Sequence, residues 1–475
     1  MNVGRLVIPA IRWREEDGFA TAGQVIEPSL EFGAGGFILF GGSADEVSEL
    51  TDRIRRDAGR PLLFAADLER GPGQQFSGLD ELPPPLALAS LEDPAVLRGA
   101  GILTAVQALS VGINWVLAPV ADLDGEPENP IVQTRSFGAD PAAAGAAVAA
   151  WIVGCEAAGA LSCAKHFPGH GRTRVDSHIS LPVVDASSEA LRADLEPFIA
   201  AVEAGVSSVM TAHVSYPALD PSGRPATFSE PILGLLRRDL GFTGLIVTDA
   251  LIMAGARQGR PEGEACRDAL EAGVDLLLYP DQAEAVVTSL DSLAGDSRGA
   301  ARLEASLARY EAALAALDDG GSRERLPSAG SSRAAADWLL SQGMLRGQPP
   351  VLRTPLELLI VDDDEGQTPP PSSTTWVADA LRELGVPLGP GGSRVVLGFS
   401  EPRGWKGWVG FGSRTREALE RAANGRGGGK AGLVVLFTHP RHLPAVPAGP
   451  PVLCAWHRQR LMQEAVARWL AGRLA

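Results

Sequence analysis

The chain has 475 residues, 45% of them apolar and 21% charged, with 58 Asp+Glu against 42 Lys+Arg and a formal net charge of −16. This is the composition of a globular protein with a sizeable core. It is too acidic to blanket a nucleic-acid backbone and lacks the run of roughly 20 apolar residues needed to span a bilayer.

Up to about residue 295, short apolar runs alternate with longer stretches of helical period. The runs are Arg5–Ile11, Gly36–Phe40, Leu62–Asp67, Asn114–Asp122, Leu161–Phe167, Ser207–His213, Leu245–Asp249 and Asp275–Pro280. They show no regular polar alternation, as expected of parallel strands buried on both faces. Helical period is clearest in Ala44–Arg56, Asp93–Val111, Pro141–Gly159, Ser187–Ala204, Ser229–Leu240 and Glu262–Ala272. Gly159, Gly205 and Gly273 stand where helix C-terminal caps are wanted. The pattern predicts an α/β protein beginning with a (β/α)8 TIM-like barrel. The barrel is expected to be irregular at its start, because the first two runs are joined by a stretch without clear helical period.

Arg302–Leu317 reads as one more helix, and a Gly-, Ser- and Arg-rich linker, Gly320–Ser332, follows. After Pro355 the alternation resumes, with strands at Leu356–Val361, Val395–Phe399, Leu433–Phe437 and Val452–Trp456. Helices are expected near Val377–Leu384, Thr415–Ala423 and Leu461–Ala471. The expected organisation is a catalytic barrel over 1–318, a linker over 319–349 and a smaller C-terminal α/β layer domain over 350–475. Residues 331–475 carry 17 basic and 12 acidic side chains, so the acidic excess belongs to the barrel region.

Cys155, Cys163, Cys266 and Cys454 have neither metal nor CxxC spacing and read as buried free thiols in a reducing compartment. The first 14 residues show no secretory signal, so a cytoplasmic location is expected.

Barrel active sites lie at the C-terminal ends of the strands. Five runs end there in ionisable groups: Asp67, Asp122, Lys165 with His166, His213, and Asp249. Lys165 opens KHFPGHGRTRVDSH and is the only lysine in the first 405 residues. Its compact ammonium suits a single sugar or phosphate oxygen in a way that a planar guanidinium does not; the bland alternative is a pair with a neighbouring carboxylate. Pro168–Gly171 cannot continue a strand and reads as a loop. Beyond it, Asp176 and His178 are spaced so that a carboxylate can hold one imidazole nitrogen while the other faces a substrate. HxH and HExxH spacings are missing, so neither a metal nor a cofactor is expected. Asp249 ends GLIVT and suits a nucleophile, or a helix N-cap.

KHFPGHG followed by DSH, Lys165–Gly171 and Asp176–His178, resembles glycoside hydrolase family 3 in its bacterial β-N-acetylglucosaminidase branch. GFTGLIVTDALIM, Gly241–Met253, resembles the nucleophile segment of that branch, with weaker matches at Asn129–Gly138 and Asp67–Phe76. The resemblance runs to about residue 295. It implies a retaining, two-step hydrolysis of terminal, non-reducing β-linked N-acetylglucosamine. By that resemblance Asp249 attacks the anomeric carbon, His178 oriented by Asp176 is the acid/base, and Asp67, Arg135, Lys165 and His166 bind the sugar. Three positions depart from the family pattern. Gln75 stands where a sugar-contacting arginine is common, Leu68-Glu69-Arg70-Gly71 replaces QEGG, and Arg172 follows GHG where an acidic residue is common.

Rival readings are a phosphorylase, since an imidazole base does not repel phosphate, a β-glucosidase, or an inactive sugar-binding protein. The acidic barrel favours small soluble muropeptides over anionic wall polymers, which places the expected role in peptidoglycan recycling. The expected partner is therefore a small carbohydrate, an N-acetylglucosaminide, with no nucleic acid or membrane; oligomeric state is left open.

Overall fold

The structure is a computed structural model, and it describes residues 2–175, 180–253, 255, 259–295, 297–318, 331–367, 371–403, 406–425 and 430–475. The chain forms two compact units. The first comprises Met1–Glu81, Glu92–Glu126 and Ser136–Pro327, and the second Leu82–Leu91, Pro127–Arg135 and Ser328–Ala475. Leu82–Leu91 and Pro127–Arg135, which the sequence alone assigns to the barrel, thus pack with the second unit.

The first unit's opening strand is interrupted because Pro9 has no N–H to give to a ladder. It becomes β1 (Val7–Ile8) and β2 (Ala10–Arg12). There follow β3 (Gly36–Phe40), β4 (Leu63–Ala66), β5 (Trp115–Val116), β6 (Leu161–Phe167), β7 (Ser208–Thr211), β8 (Leu245–Thr248) and β9 (Leu277–Leu278). Strands β2 to β8 form one sheet in chain order, every neighbour parallel. Strand β9 pairs with β1, and Val247 of β8 bridges to Leu276, so the sheet closes on itself. This is the expected TIM-like barrel. The run Asn114–Asp122 contributes only two strand residues, since Pro119 again removes a donor and pairing with β6 continues only as the isolated Val120–Lys165 bridge.

Between β2 and β3 lies a helix, Gly23–Phe32, that sequence periodicity did not reveal. Its buried face is only Ile26 and Ser29 and Pro28 sits inside it, so little amphipathic pattern is written there. At the base of the barrel Asp275 is fully buried and takes the guanidinium groups of Arg237, Arg302 and Arg309 at 2.5, 3.0 and 3.1 Å.

The second unit carries β10 (Met344–Arg346), β11 (Glu357–Asp362), β12 (Arg394–Phe399), β13 (Leu433–Phe437) and β14 (Val452–Cys454). Their spatial order is β10-β14-β13-β12-β11, parallel except for β10. The strand period of two divides the side chains between two cores. Val395, Leu397, Phe399, Leu433, Val435 and Phe437 pack with the helices Ser331–Gln342, Trp376–Glu383 and Arg460–Ala471. Val396, Val434 and Leu436 pack with Ser413–Asn424 on the other side. Ser331–Gln342 and β10 fall in the stretch expected as linker. Ala336, Leu339 and Leu340 supply one buried helical face there.

Candidate active site

The barrel delivers its ionisable strand ends as follows. Asp67 directly follows β4, Lys165 and His166 lie near the end of β6, His213 stands two residues past β7, and Asp249 directly follows β8. Asp122 lies past β5 beside the Val120–Lys165 bridge.

Lys165 is only 1% exposed, and its ammonium sits 2.7 Å from Asp67 Oδ1 and 2.8 Å from Glu69 Oε1. A buried ammonium is tolerable only with such partners. Its visible role is therefore to anchor Asp67, whose carboxylate remains about one-third exposed, at 31%. The pair with a neighbouring carboxylate weighed for this lysine is observed, and it is made with two carboxylates at once. In the sequence Glu69 stands out only as part of Leu68-Glu69-Arg70-Gly71, two residues after Asp67, and its pairing with Lys165 is visible only in the structure.

His166 and His170 share one buried carboxylate. Asp122 Oδ2 accepts from His166 Nδ1 at 2.7 Å, while Oδ1 accepts the backbone N–H groups of His166 at 3.1 Å and His170 at 2.6 Å. Burial by itself would raise the Asp122 carboxyl, but the facing His166 and His170 outweigh it and hold it below the usual aspartate value. The bond to Asp122 places the His166 proton on Nδ1, which leaves Nε2 to meet another partner. His170 is 1% exposed, with Thr173 Oγ1 2.8 Å from its Nδ1. Burial pushes this imidazole down to about 4, against the attraction of Asp122. The turn can pass so close to the barrel only with glycine at 171, where a Cβ would come within 1.9 Å of the Leu123 carbonyl oxygen. In the sequence Asp122 is simply an ionisable strand end.

Asp249 is partly buried and its Oδ1 accepts the Ala250 N–H at 2.7 Å. His213 lies 2.8 Å from Thr227 Oγ1 and 3.3 Å from the Ala250 carbonyl oxygen, which braces the backbone just after Asp249. Burial lowers the His213 imidazole, opposed by the charge of Asp249. Behind the strand ends, burial pushes the Cys163 thiol up to about 12, and Lys165, Asp67 and Asp249 are the charges acting on it. Asp67, Lys165 and Asp249 stand at the C-terminal ends of β4, β6 and β8 in one parallel sheet, and so on the same rim of the barrel. All four cysteines are free and buried.

Asp176 and His178 lie outside the described residues. The segment before them is tied at two points, Arg172 Nε to Asp194 Oδ2 at 2.5 Å and Arg174 Nε to Glu126 Oε2 at 2.9 Å. Gln75 is partly buried, and its backbone N–H closes a turn onto the Pro72 carbonyl. Arg135 belongs to the second unit, where its Nη1 donates to the Ile131 carbonyl at 3.3 Å. Among the described residues no three His, Cys, Asp or Glu side chains are grouped to hold a metal ion, and no helix is long and apolar enough to cross a membrane.

A carboxylate at a strand end, backed by buried ion pairs that present further acceptors, is an arrangement for binding a polyhydroxylated ligand and attacking it. Residues 25–311 match the N-terminal domain of glycosyl hydrolase family 3. The chain belongs to glycosyl hydrolase family 3. Its beta-hexosaminidase relatives support a glycoside hydrolase. Among family relatives, a beta-hexosaminidase of Alkalilimnicola ehrlichii is 39% identical over 271 residues, which cover 54% of this chain and 77% of that protein. A glycoside hydrolase family 3 β-N-acetylglucosaminidase of Paenibacillus sp. str. FPU-7 superposes with a TM-score of 0.84 at 25% identity, covering 100% of this chain and 96% of the other. The beta-glucoside phosphorylase BglX has a TM-score of 0.81 at 21% identity over 100% of this chain and 91% of its own, a likeness of fold alone.

Proposed function

We propose that this family 3 chain is a retaining, exo-acting β-N-acetylglucosaminidase. One observation carries the reading: Asp249 stands at the end of β8 on the same rim of parallel strand ends as the Lys165-anchored Asp67 and the Asp122-held His166. The beta-hexosaminidases among its relatives support the N-acetylated substrate over a plain glucoside.

Asp249 attacks the anomeric carbon of the terminal sugar, and the bond to the leaving oxygen breaks to give a glycosyl-aspartate. His178, oriented by Asp176, donates the proton that this oxygen needs, then takes one from water as water attacks the same carbon and releases Asp249. Asp67, Lys165 and His166 take the sugar hydroxyls, with Lys165 also fixing Asp67, Arg135 adds a cation, and Gln75 stands by as a neutral contact. Small soluble muropeptides in the cytoplasm suit the acidic first unit, which would repel anionic wall polymers.

The test is release of p-nitrophenol from its β-N-acetylglucosaminide and β-glucoside, with and without phosphate. Turnover of the N-acetyl substrate, indifferent to phosphate and reduced by at least about 10³-fold in Asp249→Ala, is the expected outcome. Stimulation by phosphate would make the chain a phosphorylase, and preference for the glucoside would overturn the substrate assignment.

A further inference from the structure

Pro127–Arg135 follows β5 along the chain but packs within the second unit. The segment is tightly made. Asn129 is fully buried, and its Oδ1 accepts the N–H groups of Ile131 at 2.9 Å and Val132 at 2.7 Å. The Arg135 N–H donates to the Val132 carbonyl at 2.8 Å. Between them Gln133 is 2% exposed and has φ +35°, in the left-handed region that a side chain normally avoids. Such a conformation persists only where the surroundings over-determine it, and it is met at ligand clamps.

Two contacts hold the Gln133 amide. Its Nε2 donates to the Asn129 carbonyl at 3.1 Å, and its Oε1 faces His442 Nε2 at 3.4 Å. His442 sits in the turn Pro440–Ala445 that follows β13. Burial, aided by His439, Arg441, Lys406 and Arg416, pushes its imidazole down to about 3, so the ring is neutral and Nε2–H is the donor to Gln133. The ring lies directly over Gly410, where a Cβ would come within 2.5 Å of Nδ1. A neutral histidine is thus seated over a glycine and spends a ring N–H on a glutamine two residues from Arg135.

We infer that His442 is a positioning residue for substrate binding: by fixing Gln133 it aims Arg135. This rests on the reading of Arg135 as a sugar-binding residue of an N-acetylglucosaminidase.

The experiment compares the whole chain with His442→Ala, His442→Gln, Gln133→Ala and the double variant His442→Ala/Gln133→Ala. With the p-nitrophenyl N-acetylglucosaminide, KM rises about fivefold in His442→Ala, as loss of one buried hydrogen bond implies, while kcat moves less than about twofold. Gln133→Ala matches it, the double variant adds nothing, and His442→Gln, which keeps an N–H donor, recovers most of the affinity. Hydrogen exchange of residues 129–138, read without substrate, accelerates in His442→Ala. Unchanged exchange, or an unchanged KM, overturns the inference. A wild-type chain inert toward the N-acetylglucosaminide would refute the proposed function instead, and exchange would still judge the His442–Gln133 link by itself.

Discussion

Asp122 grips His166 at two atoms, taking the ring Nδ1 proton on Oδ2 at 2.7 Å and the backbone N–H on Oδ1 at 3.1 Å. Because Oδ1 also takes the His170 N–H, one carboxylate welds the end of β6 to the turn behind it. Asp122→Ala strands three donors in a site where Asp122 itself is 1% exposed, and a loss of about 3 kcal/mol or more is expected. Asp122→Asn keeps an acceptor and costs about half as much. Urea unfolding measures both, and kcat/KM falls in both variants. An Asp122→Ala protein as stable as wild type would mean that the clamp is idle.

Stability falls as the pH drops from neutral. In the unfolded chain His170 takes a proton near the ordinary value of about 6.5, but in the fold only near about 4. Between these values the unfolded state binds more protons, so stability declines as pH falls through that window, by about 3 kcal/mol in total. The lowered His213 acts in the same direction. The lowered Asp122 works further down, its contribution being complete above about pH 4 and lost as pH falls through its folded value. Urea midpoints at pH 7, 6 and 5 check this, and His170→Asn flattens the slope. An unchanged slope in that variant would remove His170 as the cause.

Two ion pairs near the Asp176–His178 segment differ in burial, and their removal separates them. Asp194 is 5% exposed and would be left uncompensated by Arg172→Ala, at a cost of about 1–3 kcal/mol. Adding Asp194→Asn recovers part of that loss. Arg174 is 67% exposed in its pair with Glu126, so Arg174→Ala costs under about 0.5 kcal/mol. Equal effects in thermal melts would contradict the assignment.

Lys406 lies wholly inside the second unit, ion-paired with Asp363 and, at 2.9 Å, with Asp364, and donating to Ser400 Oγ at 3.0 Å. Lys406→Met fits the space but strands carboxylates, of which Arg458 compensates Asp364 alone at 2.9 Å. A loss of about 3–5 kcal/mol is expected. Scanning calorimetry should show it, and a transition no lower than wild type would refute it.

The barrel's strands and the placing of Asp249 were legible because they depend on local pattern. An apolar run bounded by a polar residue is a buried strand delivering that residue to the barrel mouth, whatever the rest of the chain does. The KHFPGHG turn was legible for the same reason, since proline and glycine terminate a strand wherever they fall. Pro9 and Pro119 carried signals too, and they shortened strands that apolar content by itself had extended. The helix Gly23–Phe32 had too narrow a buried face to write a period.

What a residue touches across the chain was decided only by the tertiary structure. Lys165 meets Asp67 across 98 positions and Asp122 meets His166 across 44, pairings set by the register of neighbouring strands in a closed sheet. The same holds for Pro127–Arg135, which follows β5 in sequence and packs with the second unit. Composition and periodicity specify elements and the faces they bury. They are silent on which distant side chain fills the space opposite, because that depends on how far each strand slides and tilts as the sheet closes.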